Sequence, residues 1–566
     1  MINFKNEVAK LISELDNNLD RKEIMSLIEV PPSYEMGDYA FPCFKLAKVF
    51  RKAPNLIAED IVCKIGENDY FDKIESKGPY VNFFIDRTIF TETVLKEIKN
   101  KKENYGSSDI GKEKTVIVEY SSPNIAKPFH IGHIRTTIIG HALYRIYSFL
   151  GYDTVAINHL GDYGTQFGKL IVAYKKWGDR TTVEKDPINE LLKLYVKFHE
   201  EAEKEVNLDD EARRWFKKLE DGDEEAFELW KWMRDISLRE FNKVYDMLGI
   251  EFDSFTGESF YSDKMPKVVE DLQDKGLLIK SQGADIVDLE PFNMPPALIR
   301  KSDGSTLYIT RDIAAAIYRK EHYDFYKNIY VVGSEQNLHF KQWRKIIDLM
   351  GYDWADDCIH VTFGMVSLED GTLSTRKGKV VFLEDVFKKA VEKTRDIIEE
   401  RNPNLENKEE VAKQVGIGAI VFQELFNGRI KDYTFSWDKT LSFEGETGPY
   451  VQYAHARANS LLEKGNFLVE DEIDYSLLKR DEEIDIIRLL YDFPNVIIDS
   501  AEKNEPSFIT RHIAEIAKSF NRFYHNCPIL NEEESLRKSR LHLVYATKLV
   551  INTGLSLLGI EAPNKM

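Results

Sequence analysis

The run Thr115-Val-Ile-Val-Glu119 constrains this chain more than any other segment. Apolar without alternation, it reads as a short strand covered on both faces, and a Pro-containing turn leads from it into a helical pattern from about Ile131 to Leu150. Thr154 to Asn158 reads as a second strand. Strand, crossover helix and strand make a βαβ unit, whose right-handed connection predicts a parallel, Rossmann-like sheet. Asn328 to Val332 and Ile359 to Phe363 have the same character and are expected to extend it. The interval between Asn158 and Asn328 exceeds what a crossover helix needs, so an inserted helical subdomain is expected at about 175–265.

At 566 residues the chain is too long for one core, and three or four domains are expected. Residues 1–105 read as a small α/β domain whose Gly78-Pro79 turn leads into a strand from Tyr80 to Ile85. Residues 106–385 carry the sheet and its insertion, and 386–566 read as an appended, wholly helical bundle. Hydrophobic residues at 43% and charged residues at 31% fit a globular protein. No apolar run approaches the roughly eighteen residues of a membrane span, and the opening residues alternate charge with apolar side chains, so a cytoplasmic location is expected. Cys43, Cys63, Cys358 and Cys527 are scattered, with no metal-ligand spacing, and read as reduced thiols with no structural metal. A net charge of -19 neither establishes nor excludes a nucleic-acid partner. Local basic clusters occur at Lys45, Lys48, Arg51 and Lys52 and at Arg537, Lys538, Arg540 and Lys548, each also readable as a solvated helix face.

In a parallel sheet, ligands bind beyond the carboxyl ends of the strands, and here those ends are polar and glycine-rich. The first gives Glu119-Tyr-Ser-Ser-Pro-Asn-Ile-Ala-Lys-Pro-Phe-His-Ile-Gly-His133, the second Asn158-His-Leu-Gly-Asp162, and the third carries Gln336 and His339. Neither a G-x-G-x-x-G fingerprint nor a Walker loop is present, which removes the best support for dinucleotide and P-loop chemistry. His130-Ile-Gly-His133 lies where strand gives way to helix, a position that favours an anion. Its imidazoles add donors, and Gly132 lets a flat base approach the backbone.

The tetrad resembles the His-Ile-Gly-His signature of class I aminoacyl-tRNA synthetases, and Ser121 through His133 is similar to the arginyl members. That resemblance implies an enzyme that joins arginine to tRNA through an arginyl-adenylate, using ATP with Mg2+ and releasing pyrophosphate and AMP. It assigns catalysis to Lys127, His130, His133, Ser374, Arg376 and Lys377. The last three stand in Thr372-Leu-Ser-Thr-Arg-Lys-Gly378, which departs from the family's Lys-Met-Ser-Lys-Ser because Thr372 and Thr375 replace both lysines. Arginyl enzymes of this type lose the second lysine and carry one just ahead of the first signature, which Lys127 matches. ATP is expected against His130, Gly132 and His133, and against Phe363-Gly364-Met365-Val366, which resembles the adenine-holding segment.

Arginine selectivity needs an anion held in a fixed plane, because guanidinium is a rigid fork of donors. Tyr308 and Asp312 share one side if helix begins near Thr310, although an Asp there also reads as a cap. By resemblance, Asp312 and Tyr308 hold the guanidinium and Asn124 and Gln336 the amino-acid end, with Glu119, Ser121 and His159 close by.

The segments Pro31 to Ala40 and Gly78 to Phe83 resemble the amino-terminal domain of arginyl enzymes, which meets the outer corner of tRNA. Tyr80 and Asn82, if exposed, suit an unstacked base, and they read equally as packed strand residues. Tyr450, Gln452, Tyr453, His455 and Arg457, with the terminal Met566, resemble the family's anticodon-binding bundle, where interhelical packing is the plainer reading. The expected partners are tRNA, arginine and ATP, with the chain acting as a monomer. A synthetase for glutamate or cysteine, a non-catalytic RNA-binding descendant and a small-molecule adenylyltransferase remain the rivals.

Overall fold

The computed structural model describes residues 1–15, 20–205, 207–302, 304, 306–368 and 381–566. The chain divides into two compact units. One gathers Met1–Tyr105, Ala454–Phe493 and Glu515–Thr553. Its antiparallel sheet is ordered β1-β3-β2, with β1 at Tyr39–Pro42, β2 at Phe71–Lys77 and β3 at Tyr80–Ile85. Lys77 pairs with Tyr80 across the Gly78-Pro79 turn, and Gly78 supplies the positive φ of 60°. Gly37 packs against β3 so closely that a Cβ would lie 2.9 Å from the carbonyl oxygen of Phe83. Asp38 beside it accepts the Ile85 N–H at 2.9 Å and pairs with Arg488. The Gly37-Asp38 motif therefore closes this sheet.

The other unit holds Gly106–Tyr453, Pro494–Ala514 and Gly554–Met566. Its strands are β4 (Thr115–Glu119), β5 (Asp153–Ile157), the antiparallel trio β6 (Leu278–Ser281), β7 (Ala284–Val287) and β8 (Ala297–Arg300), then β9 (Lys327–Gly333), β10 (Cys358–Phe363), β11 (Val366–Leu368) and β12 (Tyr433–Phe435). The main sheet is ordered β10-β9-β4-β5 and is parallel throughout, as the apolar runs predict. Val116, Ile117 and Val118 are fully buried, which explains why β4 shows no alternation. The chain steps from β4 to β5 on one side and later returns to β9 on the other. The carboxyl ends of β4 and β9 thus flank the switch point where such sheets hold ligands.

The helices that shape this end are α1 (Ile134–Phe149), α2 (Thr165–Trp177), α3 (Pro187–Ala202), α4 (Glu224–Leu248), α5 (Tyr308–Tyr323), α6 (Asn337–Leu349) and α7 (Lys408–Phe426). The stretch expected to be helical, about 175–265, is so, and the β6-β7-β8 sheet lies beyond it, ahead of α5. One expectation needs correction: the region after 385 is not wholly helical, because β12 pairs in parallel with β11. Both β11 and β12 are only three residues long, too short for a periodic pattern to register.

Candidate active site

The chain leaves β4 and reaches α1 through a loop in which Ser121, Ser122 and Ala126 have positive φ, at 68°, 46° and 57°. Such backbone costs on the order of 1–3 kcal/mol per residue and persists only where neighbours over-determine it. Here they do. The Ser121 N–H donates to Thr136 Oγ1 at 3.1 Å, while its hydroxyl accepts from Thr137 at 2.9 Å and lies 2.8 Å from the Tyr245 hydroxyl. The Ala126 N–H donates to Ser237 Oγ at 3.0 Å. Tyr245 and Ser237 both belong to α4, so the insertion braces the loop. Ser121 is itself buried, and its hydrogen bonds hold the loop against both α1 and α4.

The first signature forms a 3-10 turn, Ile131–His133, ahead of α1. The Gly132 N–H donates to His130 Nδ1 at 3.0 Å, so the imidazole keeps its proton on Nε2 as a donor. The ring folds back over Gly132, where a Cβ would sit 2.7 Å from His130 Cε1. The two imidazoles lie 4.2 Å apart between centroids. Burial pushes His130 below the ordinary imidazole range, and burial with the neighbouring His130 pushes His133 down to about 3. Near neutral pH both are uncharged.

The ends of β4 and β5 are stitched together by Ile125 N–H to Gly161 O at 3.2 Å and Gly161 N–H to Pro123 O at 3.1 Å. A Cβ on Gly161 would lie 2.2 Å from Asn124 Oδ1. Asn124, Lys127, His130 and His133 line one cavity of about 490 Å3, closed on its other side by Gln166 and Leu170 of α2 and by Leu192, Tyr195 and Val196 of α3. No sequence signal beyond an amphipathic pattern marks those helical residues as site residues.

The segment Phe363 to Val366 follows directly from β10 and is locked from below. Gly364 N–H donates to Arg429 O at 2.8 Å, Met365 N–H to Asp432 Oδ1 at 2.6 Å, and a Cβ on Gly364 would lie 2.5 Å from the same Asp432 oxygen. Arg135, in the first turn of α1, donates to Gly364 O at 3.1 Å and Lys431 O at 2.8 Å. Its Nε lies 3.6 Å from Glu424 Oε2, with both side chains excluded from solvent, and Tyr433 donates to Glu424 from the opposite side. Burial raises the Glu424 carboxyl and Arg135 opposes that rise. Phe363, Gly364 and Val366 are buried, whereas Met365 is 55% exposed.

Ser374, Arg376 and Lys377, with Thr372 and Thr375, lie outside the described residues. The chain resuming after them is bound to the first signature: Ile131 N–H donates to Val381 O at 3.2 Å and Leu383 N–H to Phe129 O at 2.9 Å.

Tyr308 and Asp312, the residues expected to meet a guanidinium, stand one turn apart on α5, which begins at Tyr308 itself. Tyr308 is 65% exposed. Asp312 Oδ2 lies 2.5 Å from His339 Nε2 on α6. Arg311 is drawn to Glu258 at 3.2 Å, and burial raises that carboxyl to about 7. Gln336 is exposed just beyond β9. His159 Nδ1 donates to Thr256 O at 3.2 Å. Glu119 is buried at the end of β4 and ion-paired with Arg319 at 2.6 Å.

Several of the RNA candidates are packed within the fold. Asn82 is buried within β3, and half-buried Tyr80 packs edge-on against Phe44. Gln452 is wholly buried, donating to Gln414 O at 3.0 Å and Glu561 O at 2.7 Å, and His455 is buried. Arg457 bonds to Asn521 and covers the Tyr524 ring at 4.9 Å. Tyr450 is half-buried. Tyr453 and Met566, by contrast, line a cavity of about 390 Å3 with Arg401, Asn402 and Phe443. The basic clusters are engaged in part: Lys52 pairs with Asp60 at 2.5 Å, Lys538 with Glu534 at 2.9 Å, and buried Arg540 with Glu483 at 2.7 Å. The helix near Lys45 spans only Leu46–Phe50, leaving Arg51 and Lys52 beyond it.

Three family models match in succession: the arginyl tRNA synthetase N terminal domain over 3–85, the catalytic domain of tRNA synthetases class I (R) over 93–437, and the DALR anticodon binding domain over 451–566. The arginine–tRNA ligases of Halothermothrix orenii and Clostridioides difficile are 65% and 61% identical, with all of this chain and all of each relative covered. The arginyl-tRNA synthetase structure of Thermus thermophilus superposes with a TM-score of 0.83 at 26% identity, covering 100% of this chain and 99% of that one. That of Plasmodium falciparum gives 0.80 at 25%, with both chains fully covered. Matched by these family models in succession and by relatives over its full length, the chain belongs to the arginyl-tRNA synthetase family of class I aminoacyl-tRNA synthetases.

Proposed function

We propose that this chain charges tRNA with arginine in two steps at the carboxyl ends of β4, β5 and β9. The arginine carboxylate attacks the α-phosphate of ATP and pyrophosphate leaves. The terminal ribose hydroxyl of tRNA then attacks the carbonyl carbon of the arginyl-adenylate, and AMP leaves. Mg2+ enters with ATP and spreads the phosphate charge. Little covalent work falls to the side chains, so catalysis is positioning and stabilisation of charge that develops on phosphate.

His130 and His133, uncharged near neutral pH, donate hydrogen bonds to that charge, and Lys127 supplies the cation beside them. Ser374, Arg376 and Lys377 complete the set in this reading. Gly132 and the segment Phe363 to Val366 receive the adenosine. Asn124, Gln336 and His159 meet the amino-acid end, and Tyr308 and Asp312 the guanidinium. Lysine and citrulline leave Asp312 poorly matched, because one lacks the planar fork and the other lacks the charge.

Residues 1–105 meet the outer corner of tRNA and 386–566 its anticodon, where the cavity of Arg401, Phe443, Tyr453 and Met566 offers a ring and a cation to an unstacked base. The same reading has the chain working as a cytoplasmic monomer. The observation that carries the proposal is the meeting of Asn124, Lys127, His130 and His133 around one cavity, in a chain of this family. The test is ATP–pyrophosphate exchange against each of the twenty amino acids, with and without tRNA. Exchange confined to arginine and requiring tRNA supports it; exchange with another amino acid, or none from folded protein, overturns it.

A further inference from the structure

We propose that His339 is the positioning residue of the arginine side-chain site, acting through Asp312. The proposal rests on the reading of Asp312 as the carboxylate that meets the guanidinium. Asp312 sits in the second turn of α5 and His339 in the first turn of α6, so two elements of different origin converge on one contact of 2.5 Å between Nε2 and Oδ2. The carboxylate and imidazole are 32% and 25% exposed, so burial alone fixes neither of them.

A guanidinium reads a carboxylate through two coplanar oxygens, and a carboxylate free to turn about its Cβ bond presents that plane only part of the time. Because a carboxylate only accepts, Nε2 is the donor in this contact. One lone pair of Oδ2 held by His339 sets the plane and leaves Oδ1 and the second lone pair of Oδ2 for the two guanidinium donors. The cation next to Asp312 in sequence is engaged elsewhere, since Arg311 is paired with Glu258 at 3.2 Å. The stretch after β9 therefore serves both ends of the amino acid, through Gln336 at one and through His339 and Asp312 at the other.

The experiment measures KM for arginine, KM for ATP and kcat of tRNA charging for the full chain carrying His339→Ala, His339→Gln or Asp312→Asn. Gln places an amide donor near the position of Nε2. Loss of one hydrogen bond to a charged group corresponds to about ten- to a hundredfold. His339→Ala is expected to raise the arginine KM by that factor, with ATP KM and kcat changed by less than about twofold, and His339→Gln to recover most of the loss. An unchanged arginine KM in His339→Ala, or an equal loss in ATP KM and kcat, overturns the proposal. If Asp312→Asn raises the arginine KM and His339→Ala does not, only the positioning role fails. If neither raises it, the reading of Asp312 fails as well.

Discussion

Arg319 Nη1 lies 2.6 Å from Glu119 Oε2, with the guanidinium wholly excluded from solvent and the carboxylate 9% exposed. The pair joins the carboxyl end of β4 to α5, the helix that carries Tyr308 and Asp312. Removing one partner strands a buried charge, which costs about 3–5 kcal/mol. Glu119→Gln is therefore expected to lower the thermal unfolding midpoint sharply. The double variant Glu119→Leu with Arg319→Met, which buries no charge, is expected to recover most of the loss. An unchanged midpoint in the single variant contradicts a structural role for Glu119.

Gly132 admits no side chain while His130 stays folded over it, since a Cβ would lie 2.7 Å from Cε1. Gly132→Ala is expected to displace the imidazole by several tenths of an ångström or more and to slow arginine-dependent pyrophosphate exchange by about a hundredfold. Circular dichroism and the unfolding midpoint are expected to stay close to those of the parent. Full exchange activity would show that the His130 ring position is immaterial.

His133 and His141 are both held down to about 3 by burial, against about 6.5 in an unfolded chain. Between those values the unfolded state binds protons that the folded state refuses, so stability rises with pH across the window and is lost as acid is added below about 6.5. The unfolding midpoint is expected to fall between pH 7.5 and pH 5. His133→Gln is expected to make that fall shallower. A midpoint with the same pH slope in both proteins excludes His133 from the effect.

The central strands of the main sheet, β4 and β9, were legible because each carries an apolar run buried on two faces and ends in polar or glycine residues. The β6-β7 hairpin also carried a signal: Gln282-Gly283 separates two short runs, and both turn residues have positive φ, 49° and 82°. The candidate site was legible at residues whose neighbours in sequence are its neighbours in space, from Asn124 to His133. It was not legible where the partner is distant in the chain. Arg135 reaches Lys431, and Glu119 reaches Arg319, through pairings that no local pattern encodes. Asn82 and Gln452 show the converse, polar side chains that resemble base readers but are buried in packing.

Arg135 connects α1 to the backbone of Gly364 and Lys431 through one guanidinium nitrogen, at 3.1 and 2.8 Å. Lys keeps the charge but not the planar fork. Arg135→Lys is expected to raise the KM for ATP by about tenfold, one hydrogen bond's worth at a buried charged group, with the arginine KM unchanged. Steady-state charging with each substrate varied in turn separates the two. A rise in the arginine KM alone would place Arg135 at the other end of the site.

The most direct measurement is arginine binding by calorimetry to the Asp312→Ala variant, with tRNA present and ATP binding measured in parallel. Loss of arginine binding with ATP affinity retained is the expected result, since the variant removes the carboxylate proposed to meet the guanidinium and leaves the cavity of His130 and His133 in place. Arginine affinity equal to that of the parent would contradict the assignment of the substrate pocket.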